Sequence, residues 1–279
     1  MRRILMCWKD FKRKALTLSY DDAVVFDKRL IQIMDKYGLK GTFNLNSGCF
    51  AKEKNPRKLT QDEAVELYKN SPHEVAVHGV KHLSLAEVDE GMATYDIIVD
   101  RRNLETLFGR VVKGMAYANG SFDDKVVAVL KSCGISYART VGSTETFDVP
   151  TDWLRMPATC HHNNPRLMEL AQKFVEEGDP SYPWARRPKL FYLWGHSYEF
   201  NDNDNWEVIE KFAEYIGGRE DIWYATNGEI YDYVKAYDNL EYSVDGKIVR
   251  NPSALGVYIR DCNTWKEYYI PSGETVALE

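Results

Sequence analysis

The chain predicts an α/β fold in which parallel strands are joined by crossover helices, closed as a barrel or open as a doubly wound sheet. Three observations carry this. Short apolar runs alternate seven times with segments of helical periodicity, the signature of successive strand–helix units. Capping sequences and glycines punctuate the helical segments at their ends. The 279 residues suffice for a barrel of about 250 plus a short extension.

Ala15 to Ser19 reads as a buried strand, and Val24 to Tyr37 has apolar residues at helical spacing before Gly38. Gly41 to Asn46 is the next strand, and Thr60-Gln61-Asp62-Glu63 is a capping box for a helix through Lys69. Glu74 to Val77 ends at His78, and Ser84-Leu85-Ala86-Glu87 reads as another capping box, opening a long helix that reaches Phe108 before Gly109. Lys113 to Tyr117 and Ile135 to Arg139 are strands, separated by a helix that Ser121-Phe122-Asp123-Asp124 caps and Gly134 ends. After a looser region, Asn164-Pro165 opens a helix to Gly178. Leu190 to Gly195 is the most apolar strand, closed by His196; Trp206 to Ile216 is helical, and Ile222 to Ala225 is the seventh strand. Thr226-Asn227-Gly228-Glu229 caps a last helix to about Ala236. Residues 1–239 thus form one domain. Residues 240–279 read as a small antiparallel appendage with turns at Asp245-Gly246 and Pro271-Ser272-Gly273, either an edge-to-edge contact between copies or a lid on the barrel.

Composition excludes several classes of partner. A net charge of −6 from 36 basic and 42 acidic residues, well mixed, offers no stripe for a phosphate backbone, so nucleic acid is not expected. The five cysteines are odd in number and lack a CxxC pair, so neither a disulfide framework nor a thiolate zinc site is expected. No run approaches the roughly 18 apolar residues of a membrane span. Met1-Arg2-Arg3 precedes an apolar run too short for a signal peptide, so the expectation is cytoplasmic unless a targeting segment was removed. Oligomeric state leaves no trace in the sequence.

Two stretches carry chemistry. Ser19-Tyr20-Asp21-Asp22 sets adjacent carboxylates where a strand hands over to a helix, and His78-Gly79-Val80-Lys81-His82 sets two imidazoles four residues apart. Together they supply two imidazoles and a carboxylate for one divalent metal, with one acid left over. The bland alternative makes Asp21-Asp22 an N-cap pair and the histidines surface residues. His196, after its apolar strand, is a titratable group or a buried histidine satisfied by a carbonyl.

These stretches, with Leu193-Trp194-Gly195-His196, resemble the first, second and fifth motifs of the polysaccharide deacetylases, the NodB-homology group of carbohydrate esterase family 4, over roughly Ala15 to Ala236. The resemblance implies a distorted (β/α) barrel of about seven strands. It also implies hydrolysis of an N- or O-linked acetyl group on a carbohydrate. Asp21 becomes the general base, Asp22, His78 and His82 the ligands of one divalent ion, zinc first with Co, Ni, Mn or Fe as alternatives, and His196 the general acid. A bell-shaped pH profile follows, its acidic limb from Asp21 and its basic limb from His196.

The departures are specific. Where the family's third motif carries Arg-Pro-Pro-Tyr-Gly, this chain has Ala116, Tyr117, Ala118, Asn119 and Gly120, so the usual arginine is missing. Arg139 is the candidate replacement, and the Asn119 backbone N–H the candidate oxyanion donor. Asp152-Trp153 fits the fourth motif, with Asp148 close enough to compete, and the motif's aspartate would partner His196; Glu199 is either a second support for it or a solvated charge. Tyr117, Trp153, His161 and Trp194 are candidate substrate contacts, with core packing as the plain reading of the aromatic ones and second-metal ligation as the remote one for His161. Two rival functions remain: a degenerate carbohydrate-binding homologue, and a non-haem iron oxygenase, whose sites usually sit in antiparallel folds.

Overall fold

In the computed structural model, which describes residues 3–178 and 187–279, one parallel sheet organises the chain. After an outlying strand β1 (Ile4–Cys7) come β2 (Lys14–Asp21), α1 (Asp27–Lys36), β3 (Gly41–Leu45), α2 (Gln61–Tyr68), β4 (Glu74–Val77), α3 (Glu90–Phe108), β5 (Gly114–Ala116), α4 (Asp124–Ser132) and β6 (Tyr137–Ser143). Then follow β7 (Met156–Ala158), β8 (Cys160–His161), α5 (Leu167–Glu176), β9 (Lys189–Gly195), the short α6 (Ser197–Asp202), α7 (Glu207–Ile216), β10 (Ile222–Tyr224) and α8 (Asn227–Asp238).

The strand order β7-β6-β5-β4-β3-β2-β9-β8 closes on itself, because β7 and β8 are consecutive and divide their pairing. Met156 and Ala158 pair with β6, whereas Cys160 and His161 pair with Leu193 and Trp194 of β9. The result is a barrel of seven parallel staves, as the resemblance implied. One stave differs from the sequence reading: Met156 to His161 is the closing strand, and Ile222 to Tyr224 only extends the sheet beside Lys14 to Leu16. Pro157 and a short mixed run hide the former, since proline is disfavoured inside a ladder.

The faces of β2 explain the core. Leu16, Leu18 and Tyr20 join Phe191 and Leu193 of β9 under the helices. Their neighbours Thr17, Ser19 and Asp21 face inward, as the period of two requires, and hydrogen-bond to Asn227, Asn44 and Arg139. Polar groups therefore line part of the interior, and each needs a partner there.

Thr60 and Thr226 form the two capping boxes as expected. Ser84 does not: Leu85–Glu87 is a single 3₁₀ turn, and the long helix starts at Glu90 under an Asp89 cap. The appendage holds two small antiparallel sheets, β11 (Glu241–Tyr242), β12 (Ile248–Arg250) and β15 (Thr275–Ala277) in one, β13 (Val257–Asp261) and β14 (Glu267–Ile270) in the other. The latter recruits β1 from the other end of the chain through Ile4 to Cys7. Among the described residues no helix is long and apolar enough to cross a membrane.

Candidate active site

The site lies at the C-terminal ends of the barrel strands, where parallel α/β folds gather their loops. Asp21 is the last residue of β2, and Asp22 follows at φ +83° with Ala23 at +53°. Neighbours in a strand point to opposite faces; this left-handed turn breaks the alternation, so both carboxylates reach one pocket. Neither caps α1, whose N-cap is Phe26. Instead Asp27, at the helix start, accepts the Val24 N–H at 3.2 Å.

Carboxylates from α3 hold the histidine loop. Asp100 accepts the backbone N–H groups of Ser47 (2.7 Å) and His78 (3.1 Å), and Asp96 accepts that of Lys81 (2.8 Å). The Asn46 amide donates to the carbonyls of His78 and Gly79 at 2.7 and 2.9 Å. Gly79 has φ +83°, and a Cβ there would lie 2.2 Å from Asp96 Oδ2. Gly79→Ala should therefore cost about 1–3 kcal/mol in denaturant unfolding, with weaker zinc binding. Unchanged values would show that the loop is not so constrained.

Asp22 Oδ1 is 3.7 Å from His78 Nε2 and 3.6 Å from His82 Nε2, and the three ligand atoms lie within 4.8 Å of one another. The Nδ1–H of His78 donates to the Ala116 carbonyl at 2.8 Å, which turns the Nε2 lone pair toward the pocket. Two imidazoles and one carboxylate, with room for further ligands, fit a divalent ion such as zinc.

Asp21 is 2% exposed. Asn44 donates to its Oδ1 at 2.8 Å, and the guanidinium of the fully buried Arg139 bonds its Oδ2. Arg139 also stacks 4.2 Å above the Trp194 ring and donates to the Thr140 carbonyl at 3.3 Å. Burial pushes the Asp21 carboxyl up, but the charges of Arg139, His78 and His196 more than offset it, to about 2. An arginine thus reaches Asp21 from β6, although the third motif lacks one.

His196 Nε2 is 3.7 Å from Asp21 Oδ2 and 4.0 Å from Asp22 Oδ2, and its Nδ1–H donates to Glu199 Oε1 at 2.8 Å. Burial alone would lower its pKa; the Glu199 bond and the charges of Asp21 and Asp22 raise it above the ordinary histidine value. Asp152 does not partner His196. Its carboxylate accepts the Leu154 N–H at 3.1 Å and pairs with Arg155 at 2.8 Å, while the first turn of α6 brings Glu199 back over His196.

Two candidate substrate contacts are corrected as well. Tyr117 is buried, stacks on Phe122 at 4.8 Å and donates its hydroxyl to the Leu154 carbonyl at 2.7 Å. Trp153 packs edge-on against Tyr231 at 5.2 Å in the inner core. Trp194 and His161 do reach the site, their rings 4.5 Å apart; burial lowers the pKa of His161 to about 4. Asn119 lies in the 3₁₀ turn after β5, at φ +55°.

His161, His196 and Glu199 form a second close trio, but Glu199 is already bonded by His196 at one oxygen and by the Asn163 amide at the other, at 2.5 Å. Hydrogen bonds, without a cation, account for it. Beside the metal trio opens a cavity of about 550 Å³ lined by Asp22, His82, Asn46, Asn55, Arg57 and Tyr198. Tyr198, whose ring is 5.1 Å from that of His196, gave no signal in the sequence beyond its closeness to His196.

Residues 9–138 match the family model described as polysaccharide deacetylase. No curated protein sequence matches the chain. A Mycobacterium smegmatis protein assigned as a polysaccharide deacetylase is 18% identical, with a TM-score of 0.59 over 85% of this chain and 96% of its own. A family 4 carbohydrate esterase from Streptomyces lividans, solved with acetate, is 14% identical, with a TM-score of 0.52 over 76% of this chain and 92% of its own. A CE4 family pseudoenzyme from Bacillus anthracis is 16% identical, with a TM-score of 0.50 over 78% of this chain and 66% of its own. At these identities the likeness is one of fold. Residues 9–138, the part that matches the polysaccharide deacetylase model, carry the aspartate pair and both histidines of the trio.

Proposed function

We propose that this chain is a metal-dependent carbohydrate deacetylase that hydrolyses an N- or O-linked acetyl group, with catalysis assigned to residues 1–239 and residues 240–279 as an extension. The observation that supports it is the meeting of the Asp22–His78–His82 trio with Asp21 and His196 at one barrel end. A divalent ion held by the trio, zinc first, would acidify a water and polarise the acyl carbonyl. Asp21, ionised across the working range, takes the proton of the attacking water as the water's oxygen bonds to the acyl carbon. The C–N or C–O bond breaks toward the leaving atom, which takes a proton from His196 Nε2. Acetate and a free amine or hydroxyl result. The adjoining cavity is of a size for a sugar ring, with Tyr198 as an aromatic wall and Asn46 and Asn55 as hydrogen-bonding groups.

The pH profile should differ from the simple bell. With the Asp21 carboxyl near 2, its protonation falls below the working range, so the acidic limb belongs to other groups. His196, raised, keeps its proton above the ordinary pKa near 6.5, and activity is lost as pH climbs past the raised value. His196→Gln should remove that basic limb. An intact limb would mean another acid.

Acetate release from a panel of N- and O-acetylated oligosaccharides, with and without chelator, tests the reading. Release that chelator abolishes and zinc restores is expected. No release from any substrate by zinc-loaded protein would favour the degenerate binding homologue, a state that the pseudoenzyme of the same fold exemplifies.

A further inference from the structure

A buried carboxylate joins the two segments that carry the site. Asp27, the first residue of α1, is 0% exposed. Its Oδ2 accepts the Val24 N–H at 3.2 Å and the hydroxyl of Tyr68, at the end of α2, at 2.6 Å. Its Oδ1 accepts the Ser197 hydroxyl at 2.5 Å. None of these donors carries a charge. Burial raises the Asp27 pKa to about 7, and the hydrogen bonds offset that only in part. A carboxyl so placed costs stability, and what it supplies is two acceptor atoms facing different segments. Val24 follows Asp22 and Ala23, two successive non-glycine residues at positive φ, which persist only where their surroundings hold them. Asp22 N–H donates to the Asn44 carbonyl at 3.0 Å on one side of this turn; on the other side, the Val24 N–H has Asp27. Ser197 directly follows His196 and starts α6.

We propose that Asp27 is a positioning residue that couples the two halves of the site: one carboxylate oxygen braces the turn that presents Asp22, and the other fixes Ser197 and with it the place of His196. This rests on the deacetylase reading above. His196 Nε2 stands 3.7 Å from Asp21 and 4.0 Å from Asp22, across the gap between these two segments. A brace that ties both segments to one carboxyl therefore sets the distance from the acid to the metal ligand and the base, and catalysis is sensitive to displacements of that kind.

The test compares Asp27→Ala, Ser197→Ala and Tyr68→Phe in the full-length protein. Tyr68→Phe takes a hydroxyl from the same carboxylate on the α2 side and controls for packing. Zinc titration should give a Kd about 10–100-fold weaker in Asp27→Ala, with altered visible bands of the cobalt(II) form, and a Kd within about threefold of the native value in the other two. Asp27→Asn, which keeps an acceptor, should recover part of the zinc affinity. Ser197→Ala should instead lower kcat/KM by about 10-fold for an N-acetylated oligosaccharide, whose amine must be protonated to leave. For 4-nitrophenyl acetate, whose leaving group departs as an anion, it should hardly change. Native zinc affinity in Asp27→Ala, an equal weakening in Tyr68→Phe, or a Ser197→Ala loss equal on both substrates would overturn the proposal. If Asp27→Ala does not fold, Asp27→Leu combined with Tyr68→Phe, which leaves no tyrosine hydroxyl unpaired, carries the zinc comparison. If the native protein binds zinc but releases no acetate at all, the deacetylase reading fails, and the zinc and cobalt measurements still decide whether Asp27 braces the turn.

Discussion

Arg139→Met is expected to cost about 3–5 kcal/mol of stability, because it strands the buried Asp21 carboxylate without its counter-charge. For a chain of this size that corresponds to a fall of roughly 6–20 °C in Tm. The effect should also depend on pH, with a definite sign. In the native protein the folded carboxyl titrates near 2, below its ordinary 3.8, so its stabilisation is present above about pH 4 and is lost as pH falls toward 2. Without Arg139, burial dominates and raises the pKa, so the folded variant holds its proton where the unfolded chain has released it. The variant then loses further stability as pH rises, and the Tm gap to the native protein should widen from pH 5 to pH 8. Activity should fall by about 10²–10⁴-fold, the usual worth of a positioned base. A stability change under about 1 kcal/mol with activity retained would mean that Arg139 neither balances nor orients Asp21.

Removing the metal ligands should have the other large effect. Asp22→Asn, chosen because asparagine tolerates the left-handed φ of +83°, and His78→Ala should each lose the single bound divalent ion and with it the acetate release. In the native protein, an ion at 100 times its Kd should stabilise the fold by about 2.7 kcal/mol, and chelation should remove that increment. Neither variant should respond to added zinc. The two differ in one respect. His78 also satisfies the buried Ala116 carbonyl, so His78→Ala should lose about 1–3 kcal/mol even without metal, whereas Asp22→Asn should not. Metal content by elemental analysis, with melts in zinc and in chelator, measures both. Retention of a stoichiometric ion by both variants would sink the assignment of the trio.

The motif residues were legible because their chemistry is local. Asp21-Asp22 ends an apolar run, and His78 and His82 lie on one loop, so type and spacing single them out as candidates, and the resemblance gives them roles. The partners were harder to read because they come from distant strands and helices. Asn44, Asp96 and Asp100 resemble ordinary polar residues in their own segments, and only packing turns their side chains inward. Arg139 was within reach only because a missing arginine raised the question. Asp152 misled for the opposite reason: it stands at the expected point of the chain, yet its own turn and Arg155 occupy its carboxylate.

The sequence by itself determined the class of fold and which acids and histidines stand at the strand ends, since periodicity, capping and residue type act over a few neighbours. Tertiary structure decided which strand closes the barrel, that the Arg139 guanidinium does reach Asp21, and that Glu199 and not Asp152 holds His196. For Asp21 the reason is distance along the chain: a buried polar group must find its partner wherever the closed sheet brings one within hydrogen-bonding distance, and a separation of 118 residues from Arg139 leaves no local trace.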